Sequence, residues 1–358
     1  MQNNQAIPFN KENFKQIFSA RFALVIIISI PSAIVAEYFD IPLAWFLGPM
    51  LITSLASLLG LKIKMPRLIL SSILILLGLY IGNYIDKSLF AQMHQWAWTS
   101  LIMLVYIILS VLIVSKYLQI FSNYDRKTSI FSAAPGALGP LMILAEDEKS
   151  DLSQVATSHL IRLIIIISVF PFIVNSFYDA ESIKITEEVL GNQNLAHLII
   201  LIISSIVLIY FFDKFKIPAA LLSGTLFASG FLQISGIATY QFSPNIIDYC
   251  LLVLGASVGC RFANKTFSEI GRNALHSFVA TFLLVALGLV AAFIASLIIE
   301  KNFFTLLLSY CPGGIYEVAV IAIFFDLDPE FVSFHHIIRL LMILFIVPLM
   351  LKIIPKKT

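Results

Sequence analysis

The sequence S-Y-C-P-G-G-I-Y-E at residues 309–317 lies inside a long apolar run, and S-A-A-P-G-A-L-G-P at residues 132–140 lies inside another. In both stretches a proline and a glycine interrupt residues that could otherwise form one helix across a membrane. Proline removes a backbone donor and glycine allows unusual backbone dihedrals, so each run is expected to break near its middle. Lipid tolerates such a break only where protein or water covers the free backbone groups. The two stretches therefore predict a membrane protein with broken helices in its interior.

The composition of the whole chain supports this interpretation. Of the 358 residues, 59% are hydrophobic and 12% are charged, which leaves too little polar surface for a water-soluble globule. The net charge of +2 is too small to favour a nucleic-acid partner. The three cysteines have no metal-ligand spacing. We therefore expect a lipid bilayer around the protein, no nucleic-acid partner, no bound metal and no cofactor.

Ten apolar runs have the length of about 17 to 25 residues that crosses a bilayer as a helix. They lie at about residues 20–36, 43–60, 67–83, 96–118, 156–177, 194–212, 218–236, 245–262, 274–299 and 331–351. The two interrupted runs, at about 128–145 and 303–325, are additional to these ten. We therefore predict an all-α, polytopic membrane protein.

The two halves of the sequence are copies of one unit. Small, polar or charged residues recur at a constant offset of 177 positions. The recurring pairs are Gly78 and Gly255, Gly82 and Gly259, Ser132 and Ser309, Pro135 and Pro312, Gly136 and Gly313, Ala145 and Ala322, Asp151 and Asp328, His159 and His336, Arg162 and Arg339, and Pro171 and Pro348. Composition alone does not place these residue types at one offset. We predict a first membrane repeat at 1–178, a connecting loop at 179–193 and a second membrane repeat at 194–358.

The distribution of basic residues predicts that the second repeat is inverted in the membrane. If the two Pro-Gly runs enter the membrane and return, 18 lysine and arginine residues face one side and 3 face the other. If both runs cross fully, the split is 14 to 7. Cytoplasmic loops are enriched in lysine and arginine. We therefore predict two inverted repeats of about five helices each, a re-entrant Pro-Gly segment in each repeat, and both chain termini in the cytoplasm.

The candidate site residues are those that bring polar groups to membrane depth. A broken helix exposes carbonyl groups and amide ends that can bind a solute or an ion, and an ionisable residue inside a span is costly unless it has a use. The predicted solute or ion pathway comprises Pro135, Gly136, His159, Arg162, Pro312, Gly313, Gly314, Glu317, His336 and Arg339. A kinked helix packed by its neighbours is the alternative for each break. For Arg162 the alternative is a side chain that extends to the membrane surface.

Glu317 is the most isolated acid in an apolar run, and Pro140 stands at the matching position of the first half. A carboxylate in such a place could carry a proton or bind a cation. It could also neutralise Arg339 in a buried pair. This acid therefore breaks the symmetry of the two halves at a candidate site.

Together these motifs resemble the AbrB family of duplicated bacterial membrane proteins. They are Ile-Pro-x-Ala followed by glycine at 41–48 and 217–224, Pro-Gly-(Gly/Ala) at 135–137 and 312–314, and His-x-x-Arg at 159–162 and 336–339. The family usually has an acid after each Pro-Gly-Gly, as Glu317 is here, whereas the first copy has Ala137 and Pro140. Similar proteins are often labelled as ammonia monooxygenases or as regulators of gene expression. The six histidines offer no cluster that would hold the copper of a monooxygenase.

These observations predict a secondary transporter of an unidentified small solute or ion, located in the bacterial inner membrane and working by alternating access. We expect no enzymatic activity, and the sequence leaves open whether the protein forms a homo-oligomer. One alternative is a membrane-embedded regulator of gene expression that acts through a partner. A membrane monooxygenase is a further alternative, which would carry bound metal or haem.

Overall fold

The computed structural model describes residues 11–85, 87–177, 194–243, 245–263 and 265–353, and these residues form only helices, turns and irregular loops. The helices are α1 Lys11–Ile17, α2 Ala20–Tyr38, α3 Ala44–Leu58, α4 Arg67–Gly82, α5 Lys87–Phe121, α6 Arg126–Ala133, α7 Leu138–Asp147, α8 Leu152–Phe177, α9 Leu195–Lys214, α10 Ala220–Ser235, α11 Asn245–Cys260, α12 Phe267–Ser296, α13 Phe303–Tyr310, α14 Ile315–Phe324 and α15 Pro329–Ile353. The predicted all-α membrane architecture is confirmed. The predicted connecting loop at 179–193 lies outside the described residues.

Each of the ten predicted spans coincides with a helix. Within the described residues, six helices are long and apolar enough to cross a membrane, namely α2, α5, α8, α9, α12 and α15. The other four predicted spans form the apolar helices α3, α4, α10 and α11, which have 15 or 16 residues each. Hydropathy detects the part of a helix that suits hydrocarbon, and a helix can continue beyond it. For this reason α5 begins at 87 rather than 96, and α12 at 267 rather than 274.

Each interrupted run forms two short helices, as its Pro-Gly motif predicts. The helix α6 ends at Ala133 and α7 begins at Leu138, while α13 ends at Tyr310 and α14 begins at Ile315. We call residues 134–137 the first break and residues 311–314 the second break.

The first interrupted run folds back on itself. The Nζ of Lys127, at the start of α6, lies 2.6 Å from a carboxylate oxygen of Glu148, just beyond α7. This bond and this charge lower the pKa of the Glu148 carboxyl group. The backbone N–H of Asp151 also donates to the hydroxyl of Thr128 at 2.9 Å. Both ends of the run therefore lie together, whereas the break lies about 12 Å away along α6. This is a hairpin about 12 Å deep, a little less than half of a hydrocarbon layer of roughly 30 Å.

The second interrupted run closes in a similar way. The ammonium group of Lys301, which precedes α13, lies 5.6 Å from the ring centroid of Phe331 in the first turn of α15. The chain enters α13, breaks, passes through α14 and returns to this level before α15 begins. The second break therefore also lies at the tip of a hairpin.

The described residues form two compact units, and each unit takes helices from both halves of the sequence. Unit 1 falls within residues 1–91, 174–266 and 319–330. Unit 2 falls within residues 92–173, 267–318 and 331–358. Because each unit combines segments of both halves of the sequence, the units do not correspond to the predicted repeats. The boundaries of the repeats therefore stay a prediction.

In unit 1 the two halves make equivalent contacts through glycine. A Cβ atom on Gly78 of α4 would lie 2.6 Å from the carbonyl oxygen of Leu222 in α10, and one on Gly255 of α11 would collide with the carbonyl oxygen of Phe46 in α3. The two glycines are 177 positions apart and the two carbonyl residues 176. Small residues allow such close approach of helices in lipid, where hydrophobic attraction between helices is absent. The sequence repeat is therefore also a repeat of packing.

These close contacts predict that Gly78→Ala and Gly255→Ala each lower the melting temperature of the purified protein in detergent. The new methyl group would clash with backbone atoms, which are unable to move away by a change of side-chain rotamer. Such overpacking costs about 1–3 kcal/mol. The matched control is Gly271→Ala in α12, where a Cβ atom meets nothing within 4 Å. Alanine favours helix over glycine, so this control should not lower the melting temperature. A similar fall in all three variants would contradict the packing described above.

The hairpin and the inverted repeat together predict the sidedness of four positions. Cysteines placed singly at Lys64, Lys127, Glu148 and Lys265 should all react from the same side of the membrane with an impermeant maleimide. If the first interrupted run crossed the membrane instead, positions 127 and 148 would react from opposite sides. If the repeats were parallel, positions 64 and 265 would do so. The parent chain should carry Cys260→Ser, because that thiol is partly exposed.

Candidate functional site

The end of α6 is held by two side chains of α8. The guanidinium of Arg162 donates to the carbonyl oxygen of Ala134 at 2.6 Å and to that of Ser132. The Nε2 of His159 bonds the carbonyl oxygen of Phe131 at 3.0 Å. A helix leaves its last carbonyl groups without partners, and its C-terminus carries partial negative charge. Arg162 and His159 therefore stabilise the end of a helix that stops inside the protein.

The end of α13 is held in the same way by α15. The guanidinium of Arg339 donates to the carbonyl oxygen of Cys311, and to that of Gly313 at 2.7 Å. The Nε2 of His336 bonds the carbonyl oxygen of Leu308 at 3.0 Å. Because a carbonyl only accepts, Nε2 carries the proton in this bond. The Nδ1 atom of His336 is then an acceptor for Arg339, which lies 3.1 Å away.

Arg339 also connects the two breaks. A Cβ atom on Gly136 in the first break would lie 3.1 Å from Nη2 of Arg339 and 3.5 Å from its Nε. The same guanidinium is bonded to Gly313 in the second break. Gly136 has a φ of +115°, which L side chains rarely adopt. Glycine at 136 is therefore required both by the backbone and by the guanidinium packed against it.

Two aromatic residues that the sequence analysis did not select belong to this site. The buried ring of Tyr106 in α5 lies within electrostatic range of Arg162 and Arg339. Its centroid is 6.2 Å from that of Tyr310, whose hydroxyl donates to the carbonyl oxygen of Thr99 at 2.8 Å. A tyrosine inside an apolar run resembles any other core aromatic, so the sequence carries no signal for Tyr106. Tyr310 lies two residues before Pro312, and this closeness to the Pro-Gly motif is a feature of the sequence that points to it.

Glu317 lies at the N-terminus of α14 and is 1% exposed. Its carboxylate packs on Gly314, where it occupies the place that a Cβ atom would take. The carbonyl of Gly314 accepts from the N–H of Val318 at 3.0 Å, so Gly314 is the N-cap of α14 and Glu317 its third residue. An acid at this position interacts favourably with the partial positive charge of a helix N-terminus. In α7 the N-cap is Ala137, which makes no side-chain cap bond, and the third residue is Pro140.

Three buried donors near the breaks have no hydrogen-bond partner among the described residues. They are the Nε atoms of Arg162 and Arg339 and the hydroxyl of Ser132. The matching hydroxyl, that of Ser309, donates to the carbonyl of Thr305 at 2.8 Å. An unpaired buried donor costs about 1–3 kcal/mol, so such groups need an explanation. One explanation is an acceptor that a bound solute supplies.

The structure brings the predicted site residues to the two breaks. Pro135, Pro312 and the glycines form the breaks, the two His-x-x-Arg pairs bond the helix ends before them, and Glu317 lies just after the second. Arg162 is 2% exposed and bonds inward, so the alternative that it extends to the membrane surface is wrong. A part for these residues in solute or ion binding stays a prediction. No group of three or more metal-ligating side chains occurs in the described part of the chain.

Comparison with known proteins agrees with the repeated motifs. The family model described as "Transition state regulatory protein AbrB" matches residues 45–355. The chain belongs to the AbrB family. The match covers both breaks and both His-x-x-Arg pairs, so the AbrB family model includes the whole candidate site. No solved structure matches the chain.

Two relatives align with most of this AbrB-family chain. One is the "Uncharacterized protein YhjN" of Bacillus subtilis (strain 168), which is 23% identical over 288 residues covering 76% of this chain and 75% of that protein. Another is the "Putative regulator AbrB" of Escherichia coli (strain K12), which is 21% identical over 306 residues covering 85% of this chain and 88% of that protein. The similarity therefore extends over both halves of the chain.

The bonds of Arg339 predict a strong dependence of stability on its guanidinium. Arg339→Met should lower the free energy of unfolding by roughly 2–5 kcal/mol, because two buried carbonyl groups lose their donors. Arg339→Lys should recover only part of the loss, since an ammonium group lacks the planar fork of donors. Lys352→Met, an exposed cation in the same helix, is the control. Denaturation in mixed micelles measures the effect, and equal stability of Arg339→Met and the control would refute this role.

Proposed function

We propose that this AbrB-family protein is a secondary transporter of a small solute or ion. It crosses the bacterial inner membrane with both termini in the cytoplasm, works by alternating access and is not an enzyme. The observation that carries the proposal is the meeting of the two breaks at Arg339. Its guanidinium bonds the second break and packs against Gly136 of the first.

A purely structural role does not account for this arrangement well. A continuous helix satisfies its own backbone in lipid, whereas a break exposes polar groups that other parts of the protein must cover. Each hairpin needs a buried arginine and a buried histidine for this purpose, and a buried arginine is costly in a membrane. A fold that makes this arrangement twice, with both breaks in contact with one arginine, gains polar groups inside the protein. Transporters with inverted repeats use such discontinuous helices to bind their substrates.

The groups at the breaks have different expected roles. The two His-x-x-Arg pairs position the helix ends, because most of their donors are already bonded to carbonyl groups. The backbone amides after each break, the unpaired Nε atoms and the Glu317 carboxylate are the groups that would contact a solute or ion. In this proposal the two compact units would be the two bodies that move in alternating access.

A second candidate is a membrane-embedded regulator that acts through a partner. The descriptions of the family model and of the Escherichia coli relative both name regulation. A regulator of this kind needs its partner in order to act, whereas a transporter moves solute in vesicles that contain no other protein. Reconstitution therefore distinguishes the two candidates.

The test combines a binding screen with transport by the purified protein. Ammonium, sodium, amino acids, monocarboxylates, dicarboxylates and sugars are added singly to wild type, and the melting temperature is recorded. Each probe that raises it is then offered to proteoliposomes as an isotope-labelled compound. Glu317→Gln removes the buried charge at the second break. Glu300→Gln makes the same chemical change at an exposed residue and is the matched control.

We expect at least one probe to stabilise the wild type, by the linkage between binding and stability, and to accumulate in the vesicles. Glu317→Gln should weaken both effects and Glu300→Gln neither. If every probe that binds fails to enter the vesicles, the transporter proposal is refuted and the regulator is favoured. If Glu317→Gln and Glu300→Gln behave alike, Glu317 has no part in the pathway.

A further inference from the structure

The two hairpins have the same construction but differ at the third residue of the helix that follows the break. In the second hairpin this residue is Glu317, whose carboxylate packs on the N-cap, Gly314. In the first hairpin it is Pro140, and the N-cap, Ala137, makes no side-chain cap bond. The N-terminus of α14 therefore has an anion from its own chain, whereas neither of these two residues supplies one to α7.

The N-terminus of α7 offers donors beside open space. The first N–H groups of a helix have no partner within it, and this end carries about half a positive charge. In α7 these groups belong to Leu138 and Gly139, since Pro140 has no N–H. Gly139 is exposed, and a Cβ atom placed on it would meet nothing within 4 Å. A group of a few atoms therefore has room next to these amides.

Buried side chains next to α7 add unpaired donors. Arg339 is fully buried, and its Nε lies 3.5 Å from a Cβ position on Gly136, two residues before α7 begins. This Nε has no hydrogen-bond partner among the described residues, and neither has the hydroxyl of the fully buried Ser132, in the last turn of α6. These donors and the charge of Arg339 lie at the first break, which leads directly into α7. They would attract an anion and repel a cation.

The buried charges also indicate that the ligand is an anion. At the two breaks the buried arginine and acidic side chains are Arg162, Arg339 and Glu317, which leaves an excess of one positive charge there. A further buried acid, Glu330, lies in the first turn of α15, nine residues before Arg339. An uncompensated buried charge is costly, and one bound anion would neutralise it.

We infer that the N-terminus of α7 binds a carboxylate group of the solute, in the place that Glu317 occupies at α14. This inference rests on the proposed transport function and names the chemical class of its substrate, an organic acid. A carboxylate is favoured over other anions because the equivalent helix end already holds one. The chain supplies the anion in one repeat and the substrate supplies it in the other.

The decisive variant is Pro140→Glu, which gives α7 the acid that α14 has. Its carboxylate should occupy the site from within. Pro140→Gln has the same shape without the charge and is the matched control. Gly139→Val is a second blocking variant, which fills the open side of α7 with a side chain. Far-ultraviolet circular dichroism and gel filtration in detergent show which variants are folded.

The probes are sodium acetate and sodium succinate, compared with sodium chloride at equal ionic strength. We expect acetate or succinate to raise the melting temperature of the wild type and of Pro140→Gln above the value in chloride. In Pro140→Glu and Gly139→Val the apparent affinity should fall at least about tenfold, which corresponds to 1.4 kcal/mol.

Three results would overturn the inference. The first is that neither carboxylate stabilises the wild type more than chloride does. The second is that a folded Pro140→Glu keeps the full response, and the third is that Pro140→Gln loses the response.

A measurement of uptake separates this inference from the proposed function. If proteoliposomes take up ammonium while carboxylates have no effect, the inference is wrong and the transporter stands. If carboxylates bind at α7 but no probe is taken up, the site is supported and transport is refuted.

Discussion

The bond between a buried guanidinium and the carbonyl groups at the end of a broken helix is the interaction on which this structure depends. A helix that ends inside a membrane leaves carbonyl groups that lipid is unable to satisfy. Arg162 and Arg339 satisfy them at the two breaks, each from a neighbouring long helix. Without such donors the buried breaks would leave these carbonyl groups unpaired. The arginines also bring positive charge to the two breaks.

The duplication of the chain acts at the level of contacts as well as residue types. The histidines bond carbonyl groups that are 177 residues apart, those of Phe131 and Leu308. One carbonyl bond of each arginine repeats at the same offset, whereas the other differs between the two halves. In unit 1, Gly78 and Gly255 each pack against the backbone of the other half. Against this symmetry, the replacement of an acid by Pro140 stands out as a chemical difference between two otherwise similar hairpins.

The buried histidines position other polar groups of the candidate site. The Nε2 proton of His336 is committed to a carbonyl group, and its Nδ1 atom faces Arg339. The ring therefore orients the guanidinium that contacts both breaks. It resembles the outer groups that orient ligands in other binding sites, where loss of an orienting partner weakens binding without removing a direct contact.

The sequence alone determined the class of the protein, its ten apolar spans, the positions of both breaks and the residues of the two His-x-x-Arg pairs. These follow from local properties, since hydropathy sets helix length and Pro-Gly interrupts a helix wherever it occurs. Tertiary structure alone decided what those residues contact. The partners of Arg162 are backbone carbonyl groups nearly thirty residues earlier in the chain, and a backbone carbonyl looks the same in every residue type. Tyr106 and the contact between Arg339 and Gly136 were hidden for a similar reason, because they depend on which helices become neighbours.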